Sequence, residues 1–250
     1  MSLHESFAWS GGRSASWSFL SVGALLAAAL CCSTPAMAAL VYLDATSGVS
    51  GNTSLADGST FSPPLNGTTG ADNNWEQRTT FASSGNVYES SGETAEDAPE
   101  LRTMISGLVP GTTYTAYVHF WDGSGTAPDW NVRAGFVSGS LTLYANGVAS
   151  DAADLGATGA GLASALSYAT APTVFTEADR TMYAGLVGIQ TADANGQIAI
   201  YIDDLPSTIG VNNRTWYDGV SYERYVPEPS SLALLLVAIP LALAGRRRPC

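Results

Sequence analysis

The chain has 250 residues, of which twenty-two are acidic and ten are arginine, with no lysine and a net charge of −12. Such an acidic chain is disfavoured as a partner of nucleic acid or anionic lipid, and the absence of lysine excludes Schiff-base chemistry and a P-loop. The three cysteines stand at positions 31, 32 and 250, so the long region between them has no disulfide, thiolate metal site or cysteine nucleophile.

Residues 1–38 have the pattern of a secretory signal peptide. Arg13 precedes an apolar run over residues 17–30, which we predict to be helical, and Ala36 and Ala38 form an Ala-x-Ala cleavage motif. We therefore expect a signal peptidase to cut after Ala38 and the rest of the chain to be exported.

The region 39–226 is more acidic than the whole chain, with twenty acidic residues against six arginines and hence a net charge of −14. Its length of about 190 residues is enough for one hydrophobic core without disulfides. Strand patterns recur at short intervals, at residues 40–43, 75–81, 101–108, 113–121, 130–137, 140–144, 181–189, 197–202 and 213–225. These patterns predict an all-β fold over 39–225, as a β-sandwich or barrel.

Turn sequences of two residues separate several of these strands: Pro110-Gly111, Asp122-Gly123, Asn146-Gly147, Asn195-Gly196 and Asp218-Gly219. We predict that Asn195-Gly196 closes a type I′ hairpin and that Asp218-Gly219 forms a bulge or turn. Two segments are weakly patterned. Residues 46–74 indicate a long loop with one short strand, and residues 149–171 indicate a loop or one short helix.

Two short motifs favour the sandwich. Leu108-x-Pro110-Gly111-x-x-Tyr114 resembles stretches of jelly-roll carbohydrate-binding modules and of fibronectin type III repeats, and the sequence Trp-Tyr-Asp-Gly-Val at 216–220 resembles the jelly-roll modules. The region is about twice as long as a usual fibronectin domain. The resemblance therefore implies a single jelly-roll-like β-sandwich that associates with carbohydrate.

Residues 113–121 alternate cleanly between two faces of a strand. We assign one face to the core, namely Tyr114, Ala116, Val118 and Phe120. Alternation then places Tyr117, His119 and Trp121 on the opposite face, where an aromatic row is costly to leave in water. Two alternatives follow: the segment 46–74 covers the row, or a sugar stacks on Trp121 while Tyr117 and His119 form hydrogen bonds to it.

Trp75 and Trp216 are further candidates for contact with a glycan. Each follows closely on a pair of asparagines, and sugars are bound by flat aromatic rings together with amide and acidic side chains. The alternative is that these tryptophans fill the core.

Patterns typical of catalysis are missing from 39–226. His119 is its only histidine, no Gly-x-Ser-x-Gly elbow occurs, and the spacing of the acids singles out no pair. We predict a protein without enzymatic activity. A glycan-active hydrolase is the alternative, and its sign would be two carboxylates about 5–10 Å apart in a cleft.

A structural calcium ion is a further hypothesis, and we expect no other cofactor. Asp122 and Asp129 lie at the ends of a Gly-rich loop that also offers the oxygens of Ser124 and Thr126. The loop is not an EF-hand, because Arg133 stands where the twelfth-position glutamate is required.

Residues 226–250 have three parts in a fixed order. Pro227, Glu228 and Pro229 come first, an apolar stretch over 230–245 follows, and Arg246, Arg247 and Arg248 end it. A helix over 230–245 would be about 24 Å long, short for a bilayer core of ~30 Å, so snorkelling arginines or local thinning must compensate. The arginines predict that the region before Pro227 lies outside the cytoplasm.

This order of parts resembles the PEP-CTERM sorting signal of exported bacterial proteins. The resemblance implies a membrane-embedded exosortase-like transpeptidase as partner, acting near Pro227, Glu228 and Pro229. An ordinary tail anchor is the alternative. We thus expect an exported protein that is held transiently in the inner membrane and then reaches the cell surface or extracellular matrix. Its ectodomain is expected to be a non-catalytic, polysaccharide-associated module; a purely structural surface protein without ligand is the other reading.

Overall fold

The computed structural model describes residues 39–63, 73–82, 86–90, 97–123, 130–146, 156–205 and 214–227. These residues fold as β-structure, which confirms the predicted all-β class. In chain order the strands are β1 (Leu40–Asp44), β2 (Thr53–Leu55), β3 (Glu76–Arg78), β4 (Val87–Ser90), β5 (Leu101–Ile105), β6 (Thr113–Asp122), β7 (Asn131–Val137), β8 (Ser140–Asn146), β9 (Thr158–Leu162), β10 (Tyr168–Thr170), β11 (Thr176–Glu177), β12 (Arg180–Thr191), β13 (Ile198–Asp203) and β14 (Thr215–Arg224). A 3₁₀ turn spans Ala163–Ala165.

The strands form one continuous, mixed sheet in two halves. Half A has the order β10-β1-β14-β6-β12, with β4 added to β14, β3 to β4 and β11 to β12. Half B has the order β8-β7-β13-β5-β2, and β9 joins the halves by pairing with both β12 and β8. The pairings of β1 with β10 and of β8 with β9 are parallel. The finer assignment to a jelly-roll sandwich stays a prediction.

The main hydrophobic core contains residues of both halves. On β6 the predicted inward face is buried, namely Tyr114, Ala116, Val118 and Phe120. They belong to one cluster with Val132, Ile200 and Ile202 of half B. The alternation of β6 therefore identified the core face correctly, because one side of a strand must pack when two layers meet.

A second hydrophobic cluster covers the other face of half A, and we call it the outer cluster. Its buried members are Phe81, Val87, Trp121, Trp130, Ala163, Met182, Ala184 and Trp216. They come from neighbouring strands, from the turn after β3, and from the 3₁₀ turn. Half A is therefore buried on both faces in this area.

The predicted hairpin at Asn195-Gly196 is wrong. The strand before it, β12, pairs with β6 and β9, whereas the strand after it, β13, pairs with β5 and β7. The turn thus carries the chain from half A to half B. Gly196 is required there, because its φ is 70° and an added Cβ would lie 2.1 Å from the carbonyl oxygen of Leu108.

The predicted irregularity at Asp218-Gly219 is confirmed. The register of β14 against β6 shifts between Tyr217 and Gly219. A Cβ at Gly219 would lie 2.5 Å from the carbonyl oxygen of Leu43 and 2.9 Å from the hydroxyl of Tyr42. Glycine therefore lets β1 approach β14 closely at this bulge.

The two weakly patterned segments contain more strand than expected. The described part of 46–74 includes β2, the one short strand that was predicted. The described part of 149–171 contains β9, β10 and the 3₁₀ turn rather than a single loop or α-helix. Short pairings of this kind carry too few residues for a periodic pattern.

Several sequence predictions lie outside the described residues. These are the signal peptide with Ala36 and Ala38, the span over 230–245, and the motif residues Glu228, Pro229, Arg246, Arg247 and Arg248. Among the residues that the structure describes, no helix has the length and apolarity needed to cross a membrane.

Candidate functional site

The tryptophans proposed to contact a glycan are covered by the protein itself. Trp75, Trp121 and Trp216 are 1%, 0% and 4% exposed. The indole nitrogen of Trp75 donates a hydrogen bond of 2.8 Å to the carbonyl of Pro99. No ring face of these residues is open to a sugar, so the structure favours the alternative in which the tryptophans fill hydrophobic clusters.

The cover over Trp121 is not the one we expected. Phe81 packs edge-on against its ring at a centroid distance of 4.9 Å, and Ala163 and Met182 belong to the same outer cluster. The segment 46–74 was the expected cover, but the described part of it contributes no member to that cluster. The turn after β3 and the 3₁₀ turn provide the cover instead.

His119 is also buried, with an exposure of 0%. Its Nε2 lies 2.8 Å from the hydroxyl oxygen of Ser221, and the ring of Tyr42 meets it edge-on at 5.3 Å. Burial lowers the pKa of His119 to about 3, so the imidazole is neutral at physiological pH. The Ser221–His119 pair therefore resembles a catalytic pair in distance only, because no substrate reaches it. Tyr117, the third residue of the row, is half-buried.

Two carboxylates come together around Tyr42. Its hydroxyl lies 2.5 Å from Oδ2 of Asp218 and 3.2 Å from Oδ1 of Asp44. A hydroxyl has one proton, so it donates to one carboxylate at a time. Burial raises the pKa of Asp218 to about 7, against the opposing effect of the Tyr42 hydrogen bond.

The two carboxylates share a hydroxyl neighbour, but they lack the access to substrate that a glycosidase pair needs. Asp218 is buried, and neither carboxylate lines the two depressions described below. The amide of Asn86 donates a 3.0 Å hydrogen bond to the other oxygen of Asp44. The group therefore links β1, β14 and the residue before β4 as an internal polar network.

The proposed calcium loop is only partly described. Asp122 is buried; its two oxygens accept hydrogen bonds from the Asn146 amide and from the Gly123 N–H at 2.8 Å. Asp129 lies outside the described residues. Among the residues that are described, no group of three or more His, Cys, Asp or Glu side chains is placed to hold a metal ion.

Two open depressions lie side by side at one end of the fold, and together we call them the groove. The first has a volume of about 230 Å³ and is lined by Met104, Phe136, Gln190, Thr191, Asp193, Gln197, Ile198, Ala199 and Tyr201. The second has about 450 Å³ and is lined by Leu43, Ser50, Gly51, Asn52, Met104, Ile105, Ser106, Gln197 and Tyr222. Met104 and Gln197 line both, so the depressions meet there.

The turn between β12 and β13 fixes the position of Gln197 in the groove. Oδ1 of Asp193 accepts 2.8 Å hydrogen bonds from the backbone N–H groups of Asn195 and of Gln197. The side-chain amide of Gln197 donates to the hydroxyl of Ser106 at 3.3 Å. Asp193 thus uses one oxygen to hold the turn, and it is the only ionisable acid among the described lining residues.

Strand alternation brings aromatic rings to the groove. On β13, Ile198, Ile200 and Ile202 point to the core, which leaves Tyr201 half-buried on the other face. Phe136 and Tyr222 are also half-buried, but they pack against the main core at the edge of the groove. Aromatic walls with amide and hydroxyl groups and little charge suit a neutral, hydroxyl-rich ligand.

Sequence reasoning missed the groove because it weighed tryptophan and histidine most heavily. A usable signal was present: Gln190 and Gln197 flank the Asn195-Gly196 turn, and Tyr201 alternates with three isoleucines. The convergence of β5, β12 and β13 at one end is a property of topology, which the local pattern does not contain.

No protein-family model matches this chain, and no curated protein is significantly similar to it.

Proposed function

We propose that this chain is an exported cell-envelope protein sorted through a C-terminal PEP-CTERM signal. The order of Pro227, Glu228 and Pro229, the apolar stretch 230–245 and Arg246–Arg248 supports the proposal, as does the Ala-x-Ala motif ending at Ala38. Between these segments, Ala38–Pro227 forms a compact unit. A signal peptidase frees this unit at its start, and an exosortase-like transpeptidase processes it near Pro227. It then resides at the cell surface or in the extracellular matrix.

We propose further that the unit Ala38–Pro227 is a jelly-roll-like, non-catalytic module that associates with polysaccharide through the groove. The observation that carries this proposal is the pairing of half-buried rings, Phe136, Tyr201 and Tyr222, with the amides of Gln190 and Gln197 along two adjoining depressions. An elongated, mostly uncharged surface fits a chain of neutral sugars better than a compact metabolite. Binding rather than hydrolysis is favoured because neither Asp44 nor Asp218 lines the groove.

Intact-mass analysis of the protein from its native host tests the sorting proposal. We expect a mature form that begins after Ala38 and lacks the residues from Arg246 onward. A strain without the transpeptidase should accumulate the longer form. A mature species that keeps Cys250 in a strain with active transpeptidase contradicts the proposal.

Binding of neutral polysaccharides to Ala38–Pro227 tests the groove. The polysaccharides are dextran, xylan and a mixed-linkage β-glucan, and binding to each is measured by affinity electrophoresis. We expect at least one polymer to retard the migration of the protein. Tyr201→Ala should bind that polymer about tenfold more weakly, because it removes one stacking ring. Tyr225→Ala is the matched control, because Tyr225 is exposed and lies outside the groove. If no polymer binds, the structural alternative without a ligand replaces this proposal.

A further inference from the structure

Three of the six arginines in region 39–226 meet on the outer face of half A. Arg78 lies on β3, Arg180 begins β12, and Arg214 precedes β14. Arg78 donates through Nε and Nη2 to one oxygen of Glu89 on β4. Arg214 places Nη1 at 3.4 Å from the other oxygen of Glu89. A single buried carboxylate thus pairs with two guanidinium groups, by hydrogen bonds to Arg78 and by charge alone to Arg214, because its Oε1 accepts no hydrogen bond.

Arg180 completes the cluster without an ion pair of its own. Its Cζ lies 4.6 Å from the ring centre of Trp216, 5.1 Å from that of Trp130 and 5.8 Å from that of Phe81. Its Nη1 donates to the carbonyl of Ala178 at 3.2 Å. Among the residues that the structure describes, no carboxylate oxygen lies within ion-pair distance of it. The aromatic rings hold this guanidinium by cation–π contact instead.

The charges are layered, with acids beneath and guanidinium groups above. Glu89 is fully buried and its cross-strand neighbour Glu76 is 1% exposed. The side chains of Arg78 and Arg214 are 32% and 31% exposed. Solvent at this point therefore meets arginine side chains, although the domain as a whole is strongly acidic.

Some donors of the cluster are unused. Nε of Arg180 and Nε1 of Trp216 are buried and lack a hydrogen-bond partner, and the guanidinium of Arg180 lies over the Trp216 ring. Buried donors without partners are costly. A ligand arriving from solvent meets the side chains of Arg78 and Arg214, which are about one-third exposed.

We propose that this arginine cluster is a second binding site, which takes the carboxylate of an acidic sugar unit. The inference rests on the proposed association with polysaccharide but uses a surface separate from the groove. A guanidinium group matches a carboxylate with two parallel hydrogen bonds, and anchoring of the arginines beforehand reduces the entropy lost on binding. The rings beneath are covered, so they orient Arg180 and do not themselves stack on the sugar.

The net charge of the whole domain limits which acidic polymers can bind at the arginine cluster. A net charge of −14 over 39–226 repels a densely charged polyanion, whereas charges more than ~8–10 Å away are largely screened at physiological salt. The site therefore fits carboxylates spaced along an otherwise neutral chain.

Titration of Ala38–Pro227 with digalacturonate tests this site; the unit has a hydrophobic core of its own and no cysteine. The matched ligand is the methyl ester of the same disaccharide, which keeps the sugar and removes the charge. We expect binding of digalacturonate, at least about tenfold weaker binding of the ester, and a change in tryptophan fluorescence from Trp130 and Trp216 beneath Arg180.

Substitutions test whether digalacturonate binds at the arginine cluster. Arg180→Gln should weaken binding of digalacturonate about tenfold, whereas Arg224→Gln, at an exposed position on β14 away from the cluster, should not. Tyr201→Ala should leave digalacturonate binding intact, since the groove is separate. If Arg180→Gln fails to fold by its thermal melt, Arg214→Gln at the rim serves the same purpose, with the same expected loss.

Three results overturn the proposal. The first is no binding of digalacturonate to the folded protein; if neutral polymers still bind at the groove, the proposed function stands and only this inference fails. The second is equal binding of the acid and its ester. The third is sodium sulfate binding as tightly as digalacturonate, which would show a general oxyanion site and not one for acidic sugars.

Discussion

The two faces of β6 are both buried, but different parts of the chain bury them. On the inner face, Val118 and Phe120 belong to one cluster with residues of half B such as Ile200, and most members of that cluster lie on strands. On the outer face, Trp121 packs against Phe81 from a turn and Ala163 from a 3₁₀ turn. The inner layer contains hydrophobic side chains, whereas the outer one has arginines and acids at its border.

This comparison explains which features the sequence can predict. Strict alternation over 113–121 identifies an inner face, because every second residue must meet the opposite layer. Nothing periodic marks Phe81 or Ala163 as cover for Trp121, since turns have no repeating pattern. A tryptophan on the predicted outer face is therefore ambiguous until the turns are placed.

The largest expected effect is the loss of Trp121. Because its side chain is fully buried, Trp121→Ala should lower the free energy of unfolding by roughly 3–5 kcal/mol, as for a core aromatic. Phe120→Ala on the inner face is the matched comparison and should cost a similar amount. Urea melts of both variants decide the point. A loss below ~1 kcal/mol for Trp121→Ala, the usual range for a surface change, would show that the outer face is not a true core.

A smaller effect is expected at the border of the outer cluster. Glu89→Gln removes the carboxylate that holds Arg78 and Arg214. We expect a loss of about 1–3 kcal/mol, less than for a fully buried pair because both arginines are about one-third exposed.

The control for that variant is Glu223→Gln. Glu223 is half-buried on β14 and forms no ion pair among the described residues. Glu223→Gln should change the free energy of unfolding by no more than ~0.5 kcal/mol. Equal losses in the two variants, measured in urea, would mean that Glu89 has no special place in the outer cluster.

Two buried groups near β14, Asp218 and His119, should affect the pH dependence of stability in opposite directions. The pKa of Asp218 rises from 3.8 to about 7, chiefly through burial. Between these values the folded state keeps a proton that the unfolded state has lost, so this group lowers stability as pH rises from about 4 to 7. His119 acts oppositely: its pKa falls from 6.5 to about 3 by burial, so stability falls as pH drops below about 6.5.

Asp218→Asn should remove the first of these effects. Relative to the native protein, the variant should gain in thermal stability as pH rises from 5 to 8. Both proteins should still lose some stability over this range, because burial also raises the pKa of Asp203 to about 7. Melting temperatures at intervals of half a pH unit give the difference directly. A constant difference across that range would contradict a buried, protonated Asp218.

Apart from the control variant, the smallest expected effect on stability is at the groove. Tyr201 is half-buried on the open face of half B, so Tyr201→Ala should cost only about 1 kcal/mol. A loss as large as that of Trp121→Ala in the same urea melts would mean that Tyr201 belongs to the core and that the groove is not a preformed binding surface.

The local features of the fold were more predictable than its long-range pairings. The long strands β6, β7, β8, β12 and β14 follow from alternation and turn pairs, and the bulge follows from Asp218-Gly219. The Asn195-Gly196 hairpin was wrong because a turn sequence does not reveal whether its flanking strands pair with each other. The groove and the arginine cluster escaped prediction for the same reason: Arg78, Arg180 and Arg214 are far apart in sequence, and only the strand order brings them together.

The most direct test of the central claim, that polysaccharide binds at the groove and not at the tryptophan face, is an NMR titration of ¹⁵N-labelled Ala38–Pro227 with an oligosaccharide of the neutral polymer that binds. We predict that the backbone signals of Gln190, Gln197 and Tyr201 shift, together with the side-chain amide of Gln197, while the indole signal of Trp121 stays in place. Shifts confined to Tyr117–Trp121, with the groove signals unchanged, would contradict the account.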